Sequence, residues 1–384
     1  MKPSTYCAAA LLFAAAAQAA PLKIGVLGRA DEERFERRRV ELEYIGQTMG
    51  PIRDAVEVAI GESRFELEAA KLEPQLLEDQ ASNAETARAV ARKLEQAGAA
   101  ALIVDWPAAW IAAAAGSVKI PVLNAGDSAD ALRQDECKPN LLHTAPSERM
   151  RADAMAQMLA ARRWTRVLVL HGPRPADIER LTAVQASVKR YGLRPVALRP
   201  FELSADPRKR DLANPLLLTG GSEYDVVWVV DTDGAFARSL PYRTVLPRPI
   251  VGDAGLFADA WAPHFERFGA PQLARRFRKQ AEREMRGTDW AAWIATKAVL
   301  QAAMAQPAGG PLQWQQKLFA ADLTLDGFKG VRLGFRPWDG QLRQPLLLTD
   351  GQGVIAFAPV EGILHPSNAL DTLGADLPEK LCKR

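Results

Sequence analysis

Several polar and aromatic side chains follow apolar segments of the chain, where stacking and ion pairs could hold a small molecule. Tryptophan offers a flat surface to a planar ligand, arginine offers a planar fork of donors to a carboxylate, and aspartate or asparagine completes hydrogen bonds. The candidate ligand-binding residues of this kind are Arg29, Trp106, Asn124, Asp127, His143, Arg174, Asp231, Asp253 and Trp290. They predict noncovalent binding of a small molecule.

Each candidate also has a structural interpretation. Trp106 precedes Pro107 in a turn and could either stack on a ligand or pack inward, whereas Trp290 lies one helical turn from Trp293, so one of that pair should face the core. Lone histidines are usually structural, and the charged segments around the arginines are typical of a solvated face. The residues that could instead cap the following helices are Asn124, Asp127, Asp231 and Asp253.

The motifs of common α/β enzymes are missing from the sequence. It contains no G-x-S-x-G elbow, no H-E-x-x-H, no Walker A loop and no G-x-G-x-x-G. Its four histidines form no cluster with cysteine at metal-ligand spacing, so we expect no metal site. An acid pair assembled from distant positions remains open, but the sequence favours a binding protein over an enzyme.

The first half of the chain alternates between predicted strands and helices. Apolar runs at 23–27, 65–72 and 100–104 are typical of strands, and the last of them lacks polar alternation, as expected of a parallel strand covered on both faces. Between them, Ser82 and Glu85 have the spacing of a capping box that opens a helix. The order predicts α/β units around a parallel sheet.

The second half repeats this order with strands at 166–170, 225–230 and 249–251. Two similar lobes are therefore expected, each with its polar turns at the carboxyl ends of parallel strands, where open α/β sheets bind ligands. The last third completes both lobes, and the chain is expected to cross between them near 144–147, 256–261 and 327–333. Such a three-stranded hinge lets rigid lobes close on a ligand.

The predicted domains are a signal peptide at 1–20, lobe 1 at 21–144 with about 258–330, lobe 2 at 145–257 with about 331–365, and a tail at 366–384. Lys2, an apolar stretch from Ala8 to Ala17 and a small-x-small site predict cleavage near Ala19 or Ala20 and export to the periplasm. The stretch is too short to span a bilayer, so no membrane insertion is expected, although a retained anchor is the alternative.

The net charge and the cysteines narrow the classes of partner and the compartment further. The formal net charge is +3, with 49 basic and 46 acidic residues intermixed, so nucleic acid is not an expected partner. After cleavage Cys137 and Cys382 would remain in an oxidising compartment, where we expect them to form a disulfide; two free thiols are the alternative. The chain-entropy model allows roughly 5 kcal/mol for so long a loop, and the bond would pin the C-terminal tail.

The element order resembles the type I periplasmic binding proteins related to the leucine/isoleucine/valine receptor. More specifically, CKPNLLHTAPSERMRADAMAQML at 137–159, with ALIVDWPAAW and PVLNAGDSADALR, resembles binding proteins of ABC transporters associated with alcohol dehydrogenases that depend on pyrroloquinoline quinone (PQQ). The resemblance implies a periplasmic receptor for PQQ, serving an ABC permease or such a dehydrogenase by lobe closure, and we expect it to be a monomer. A sensory or cofactor-delivery role shares the same binding fold.

The chain departs from the amino-acid receptors of that family at two turns. A hydroxyl-rich turn that would fix a ligand's carboxylate is replaced by Asp105-Trp106-Pro107, and the acid that would fix its ammonium appears, shifted by one position, as Asp253. Branched-chain amino acids are therefore disfavoured. A planar acid such as PQQ would suit the tryptophans and arginines, and an alcohol-derived, aromatic or amino-acid-like compound is the alternative ligand.

Overall fold

A computed structural model of the protein describes residues 19–35 and 49–383. The first described strand, β1, is Ala20–Arg29. Most of the predicted signal peptide lies outside the described residues. Within them the chain forms two parallel sheets, each covered by helices, as predicted.

The first sheet carries five parallel strands in the order β2-β1-β3-β4-β5. The strands after β1 are β2 Leu72–Ala81, β3 Ala101–Val104, β4 Val122–Asn124 and β5 Leu141–His143. All four residues of β3 are buried, which explains its uninterrupted apolar sequence. The helices between these strands are α1 Arg53–Glu62, α2 Arg64–Ala69, α3 Ala84–Gln96 and α4 Ala108–Ala115.

The second sheet carries four parallel strands in the order β7-β6-β8-β9. Its strands are β6 Arg166–His171, β7 Arg194–Pro200, β8 Val226–Val230 and β9 Ile250–Gly252. The helices of this lobe are α5 Glu148–Ala161, α6 Pro175–Arg190 and α7 Pro215–Thr219. All five residues of β8 are buried, so this central strand is covered on both faces.

A small antiparallel sheet lies between the two lobes. It pairs β10 Phe257–Asp259 with β14 Leu346–Thr349, and β14 with β15 Val354–Ala358. Because side chains alternate along a strand, Leu347 packs into the core of lobe 1 while Leu346 and Leu348 pack into the core of lobe 2. The sheet thus contributes one face to each lobe.

The remaining α-helices and strands of the described residues belong to lobe 1. They are the helices α8 Ala270–Ala281, α9 Gly287–Ala305 and α10 Pro311–Leu318, and the strands β11 Leu325–Asp326, β12 Arg332–Phe335 and β13 Leu342–Arg343. Leu333, Phe335 and Leu342 are buried in the lobe 1 core. The sequence placed 331–342 in lobe 2, and this packing corrects it: the third crossing follows Leu342 and precedes Leu346.

Two local predictions in the first lobe are wrong. The predicted strand at 65–72 is the short helix α2 followed by the start of β2, and Phe65 at its beginning is 82% exposed. The cap of α3 is Asn83, whose Oδ1 accepts the backbone N–H groups of Glu85 and Thr86, each at 2.9 Å. Thr86 Oγ1 reciprocates by accepting the N–H of Asn83 at 3.0 Å, so the box lies one residue beyond the predicted one.

The tail connects both lobes. Leu373 packs into the core of lobe 2, and Gly374 donates its N–H to the buried carboxylate of Asp153 at 2.8 Å. Cys382 then forms the predicted disulfide with Cys137, which precedes β5 in lobe 1; the two Cα atoms are 5.8 Å apart and 245 residues separate them in sequence. The last segment therefore runs from one lobe to the other.

Candidate functional site

A cavity of about 490 Å³ opens between lobe 2, the interlobe sheet and the start of α9. This volume lies within the range of sites for small organic ligands. Its apolar wall consists of Ala152, Met155, Val184, Trp228, Phe257 and Ala258, and its charged residues are Glu148, Arg151, Arg180, Asp253, Asp259, Arg286 and Asp350. We call this space the cleft cavity.

The apolar wall is built by the elements of lobe 2. Met155 and Val184 project from α5 and α6, and Trp228 from the middle of β8. Gly252, at the end of β9, has a φ of +103°, and a Cβ there would lie 2.9 Å from Trp228 Cδ1. Only glycine combines that backbone with so close an approach, so Gly252 allows the end of β9 to pack directly against the indole of Trp228.

Arg180 lies between two carboxylates of the cleft cavity. Its Nη2 donates to Glu148 Oε1 at 3.0 Å, its Nε lies 3.0 Å from Glu148 Oε2, and its Nη1 donates to Asp253 Oδ1. Burial opposes ionisation of Glu148, but Arg180 and Arg151 hold the pKa of that carboxyl below its ordinary value. Burial raises the pKa of Asp253, although Arg180 opposes this effect.

Arg286 brings lobe 1 to the same cavity. It is the residue before α9, a helix of 19 residues whose N-terminus faces the cleft. Nearby, Arg151 Nη2 lies 3.1 Å from Asp259 Oδ1, and a Cβ at Gly287 would lie only 2.4 Å from the same oxygen. The glycine lets the second crossing pack closely against the start of α9, where helix N–H groups favour negative charge.

Asp231 and Asp253 lie next to each other at the ends of β8 and β9. Asp231 is 3% exposed, its Oδ2 accepts the N–H groups of Phe236 and Ala237 at 2.8 Å, and its own N–H donates to Asp253 Oδ2 at 2.7 Å. Burial, reinforced by the neighbouring carboxyl of Asp233, raises the pKa of Asp231 to about 6. This carboxyl caps the turn after β8.

The raised pKa predicts how stability depends on pH. Because folded Asp231 holds its proton more tightly than the unfolded chain, its contribution is present at low pH and is lost as pH rises through about 6. Asp231→Asn should therefore gain about 1 to 3 kcal/mol of unfolding free energy relative to the unsubstituted protein between pH 4 and pH 7.5. Urea unfolding at both pH values measures this difference.

The control for that experiment is Asp211→Asn, which changes an exposed carboxylate of the same lobe. Its unfolding free energy should differ from that of the unsubstituted protein by the same amount at both pH values. If Asp231→Asn behaves in the same way as Asp211→Asn, the carboxyl of Asp231 ionises normally in the folded state.

The two predicted tryptophans are core residues in this structure. Trp106 is 2% exposed, and its Nε1 donates to the carbonyl of Gly28 at 2.6 Å. Trp290 is fully buried, its Nε1 donates to Gly327 O at 3.0 Å, and Lys329 Nζ lies 3.4 Å from its ring centroid. Both rings are enclosed by lobe 1, so the expectation that they stack on ligand is corrected to a packing role.

Asn124, Asp127 and His143 form a network inside lobe 1. Asn124 Nδ2 donates to Asp127 O at 2.7 Å and lies 3.2 Å from His143 Nδ1, while Asp127 Oδ2 accepts the N–H of Ala108 at the start of α4. Burial raises the pKa of Asp127. Asp127 thus binds the start of the helix that precedes it instead of capping a following one, and Asn124 Oδ1 accepts the N–H groups of Gly126 and Asp127 within its own turn. Asn124, Asp127 and His143 do not line the cleft cavity.

Arg29 and Arg174 lie apart from the cavity lining. Arg29 pairs with Asp31 at 3.2 Å and lies 5.7 Å from the ring centroid of Trp110. Arg174 pairs with Asp233, and its side chain is 56% exposed. Of the predicted residues, only Asp253 lines the cleft cavity, where Asp231 supports it through a hydrogen bond.

Sequence reasoning missed the arginines that line the cavity. Arg151 lies in the first turn of α5, Arg180 in the second turn of α6, and Arg286 just before α9. The predicted residues mostly follow strands directly, whereas these arginines belong to the helix starts that face the same edge. The sequence offered one signal, since Glu148 and Arg151 have the spacing of neighbours on one helix face.

A comparison of the sequence with protein families matches the periplasmic binding protein family over residues 46–241. This match spans half of the chain. The chain belongs to the periplasmic binding protein family. The family consists of substrate-binding proteins rather than enzymes and implies a periplasmic location. None of the curated proteins matches the sequence.

Solved structures of this family share the fold. A branched-chain amino acid ABC transporter periplasmic ligand-binding protein from Burkholderia xenovorans LB400 has a TM-score of 0.71 at 13% identity, covering 94% of this chain and 99% of its own. An ABC transporter substrate-binding protein from Desulfitobacterium hafniense, in complex with Leu, has a TM-score of 0.66 at 16% identity, covering 86% and 98%.

A third structure is similar over most of its length. It is a solute-binding protein from Rhodopseudomonas palustris BisB5 in complex with 3,4-dihydroxybenzoic acid, with a TM-score of 0.62 at 10% identity, covering 85% of this chain and 92% of its own. Identities this low establish the shared fold alone. In the protein described here, none of the helices within residues 19–35 and 49–383 is long and apolar enough to cross a membrane.

Proposed function

We propose that this periplasmic binding protein captures a small organic carboxylate, most simply an aromatic acid, in the cleft cavity for an ABC-type transporter. The observation that carries the proposal is the composition of the cavity, which sets an apolar wall against arginines and a helix N-terminus. The ring of an aromatic acid would lie on Trp228 and Phe257, and its carboxylate would face Arg286.

Capture works through lobe closure. Most of the lining belongs to lobe 2 and the interlobe sheet, whereas Arg286 belongs to lobe 1. A ligand seated on the apolar wall gains the contact with Arg286 only when the lobes approach, so this contact favours the closed state. A membrane permease can then distinguish the closed, loaded receptor from the open one.

The comparisons support the ligand class without identifying the ligand. One similar structure is described in complex with Leu and another with 3,4-dihydroxybenzoic acid. PQQ, a planar acid, belongs to the proposed class, and a PQQ-dependent dehydrogenase would then be the receiving partner. The tryptophans expected to stack on PQQ, Trp106 and Trp290, do not line the cleft cavity, which favours a smaller acid that uses Trp228.

The test is a titration of the purified mature protein with benzoate, 4-hydroxybenzoate and PQQ, followed by tryptophan fluorescence and calorimetry. We expect saturable 1:1 binding of at least one acid. Arg286→Gln should weaken that binding about tenfold or more, because it removes a charge-assisted hydrogen bond to the carboxylate. Arg275→Gln, an exposed substitution on α8, is the matched control and should leave affinity unchanged.

The three ligands also separate the alternatives. Binding of PQQ alone would assign the protein to cofactor capture, and binding of a benzoate alone would assign it to uptake of aromatic acids. If no acid binds to the folded protein, or if Arg286→Gln binds as tightly as the unsubstituted protein, the proposed carboxylate site is wrong.

A further inference from the structure

One of the cations that line the cleft cavity, Arg180, is bound between two carboxylates of the protein. Arg180 joins Glu148 to Asp253, with both nitrogen-to-oxygen distances to Glu148 at 3.0 Å. The two carboxylates also accept hydrogen bonds from other groups. Glu148 Oε1 accepts the hydroxyl of Ser128 at 2.6 Å, and Asp253 Oδ2 accepts the N–H of Asp231 at 2.7 Å.

The other acids of the cavity also have partners within the protein. Asp259 lies 3.1 Å from Arg151. At the rim, Asp350 Oδ1 accepts the N–H groups of Gln352 and Gly353, both at 2.9 Å, and so closes its own turn. Every carboxylate lining the cavity is therefore engaged by the chain, and Arg180 serves two of them.

We propose that Arg180 determines specificity by occupying the space between Glu148 and Asp253, the cation subsite, where a ligand's ammonium group would otherwise bind. Acids that carry an ammonium group are therefore rejected. This role of Arg180 rests on the proposed carboxylate-receptor function. An amino acid would have to place its ammonium beside the guanidinium or displace it. The first arrangement sets two like charges side by side, and the second leaves a partly buried arginine without its partners.

The side chain is held firmly enough to act in this way. Arg180 is 30% exposed, against 11% for Glu148 and 20% for Asp253. Burial alone would lower the pKa of Arg180, but the two carboxylates raise it, so the guanidinium stays charged. Its planar fork donates Nη2 to Glu148 and Nη1 to Asp253, so one rigid group joins both carboxylates, a geometry that a ligand's ammonium cannot reproduce.

The experiment compares ligands that differ only by an amino group. The probes are 3-phenylpropanoate with L-phenylalanine, 4-methylpentanoate with L-leucine, and phenethylamine as a cation without a carboxylate. The variants are Arg180→Gln, which removes the guanidinium from the subsite, and Asp253→Asn, which removes one of the two carboxylates that neutralise Arg180. Lys189→Gln, an exposed substitution on the same helix, is the matched control.

We expect the unsubstituted protein and Lys189→Gln to prefer each acid over its amino derivative by about tenfold or more. Arg180→Gln should reverse this preference for plain acids. It should bind L-phenylalanine, L-leucine and phenethylamine about tenfold more tightly, because Glu148 and Asp253 then lack a cationic partner that an ammonium group can replace. Asp253→Asn should bind the plain acids about threefold or more tightly and still reject the amines.

Two results would overturn the inference: equal binding of an acid and its amino derivative by the unsubstituted protein, or no gain of amine binding in folded Arg180→Gln. If Arg180→Gln does not fold, unchanged acid affinity in Asp253→Asn overturns it. Failure of the proposed function is distinct, since then no plain acid binds the unsubstituted protein, while a gain of phenethylamine binding in Arg180→Gln still supports the subsite.

Discussion

Replacing Asp371 with Ala should lower the free energy of unfolding by about 3 to 5 kcal/mol, the usual cost of leaving a buried charge without its partner. Asp371 is completely buried, and its Oδ1 accepts Nε of Arg336 and Nε of Arg343, both at 2.8 Å. Arg336 is also completely buried. Removing the carboxylate leaves that guanidinium in the interior with less negative charge to balance it.

The same substitution should loosen the tail. Arg336 Nη2 donates to the carbonyls of Leu370 and Leu373 at 2.8 Å, so its position depends on the 3-10 turn Ala369–Thr372 that contains Asp371. Guanidinium chloride unfolding measures the stability, and limited proteolysis measures the tail. Glu361→Gln, which changes an exposed carboxylate before the tail, is the control and should stay within about 0.5 kcal/mol of the unsubstituted protein.

A double variant separates charge from packing. Replacing Asp371 by Leu together with Arg336 by Met removes both charges and keeps apolar volume, so it should be more stable than Asp371→Ala alone. A loss below about 1 kcal/mol in Asp371→Ala would contradict the assignment of this pair as a stabilising element of the tail.

Trp106→Ala should also cost about 3 to 5 kcal/mol, because it leaves a large cavity in the core of lobe 1. The indole packs with the buried residues of β3 and α4, and its removal also leaves Gly28 O without the donor that lies 2.6 Å away. Binding of the cleft ligand by the protein that remains folded should change little, since Trp106 does not line the cleft cavity.

Thermal unfolding and a ligand titration at low temperature distinguish this from a role in binding. Trp110→Ala is the matched control, because this neighbouring ring is only half-buried and should cost about 1 to 2 kcal/mol. An unchanged midpoint of unfolding together with lost affinity in Trp106→Ala would restore the ring to the binding site.

The sequence predicted the features that depend on the periodicity of apolar residues. It did not predict the side-chain positions that depend on packing between elements. The alternation of apolar runs and helices predicted both parallel sheets, and the expected export to an oxidising compartment predicted the disulfide between Cys137 and Cys382. The end of a strand can also be predicted. Whether the next side chain turns into the lobe or out toward the cleft, as for Trp106, depends on space left by neighbouring elements.

The same limit applies to the cavity residues. Arg180 faces the cleft because α6 packs beside α5, a contact that sequence spacing does not encode. The predicted strand at 65–72 failed for a related reason: Leu67 and Leu72 are buried while Phe65 is exposed, and this pattern fits the end of a helix joined to a strand as well as it fits one strand.

The tail has a mechanical consequence for the whole receptor. Within the described part of the chain the backbone passes between the lobes three times, and the disulfide between Cys137 and Cys382 makes the tail a fourth covalent link. A single link would leave every relative rotation free, whereas several links side by side resist torsion and leave bending about one axis as the soft motion. The two lobes should thus meet in the same alignment on every cycle, and Arg286 should return each time to the same place opposite Trp228.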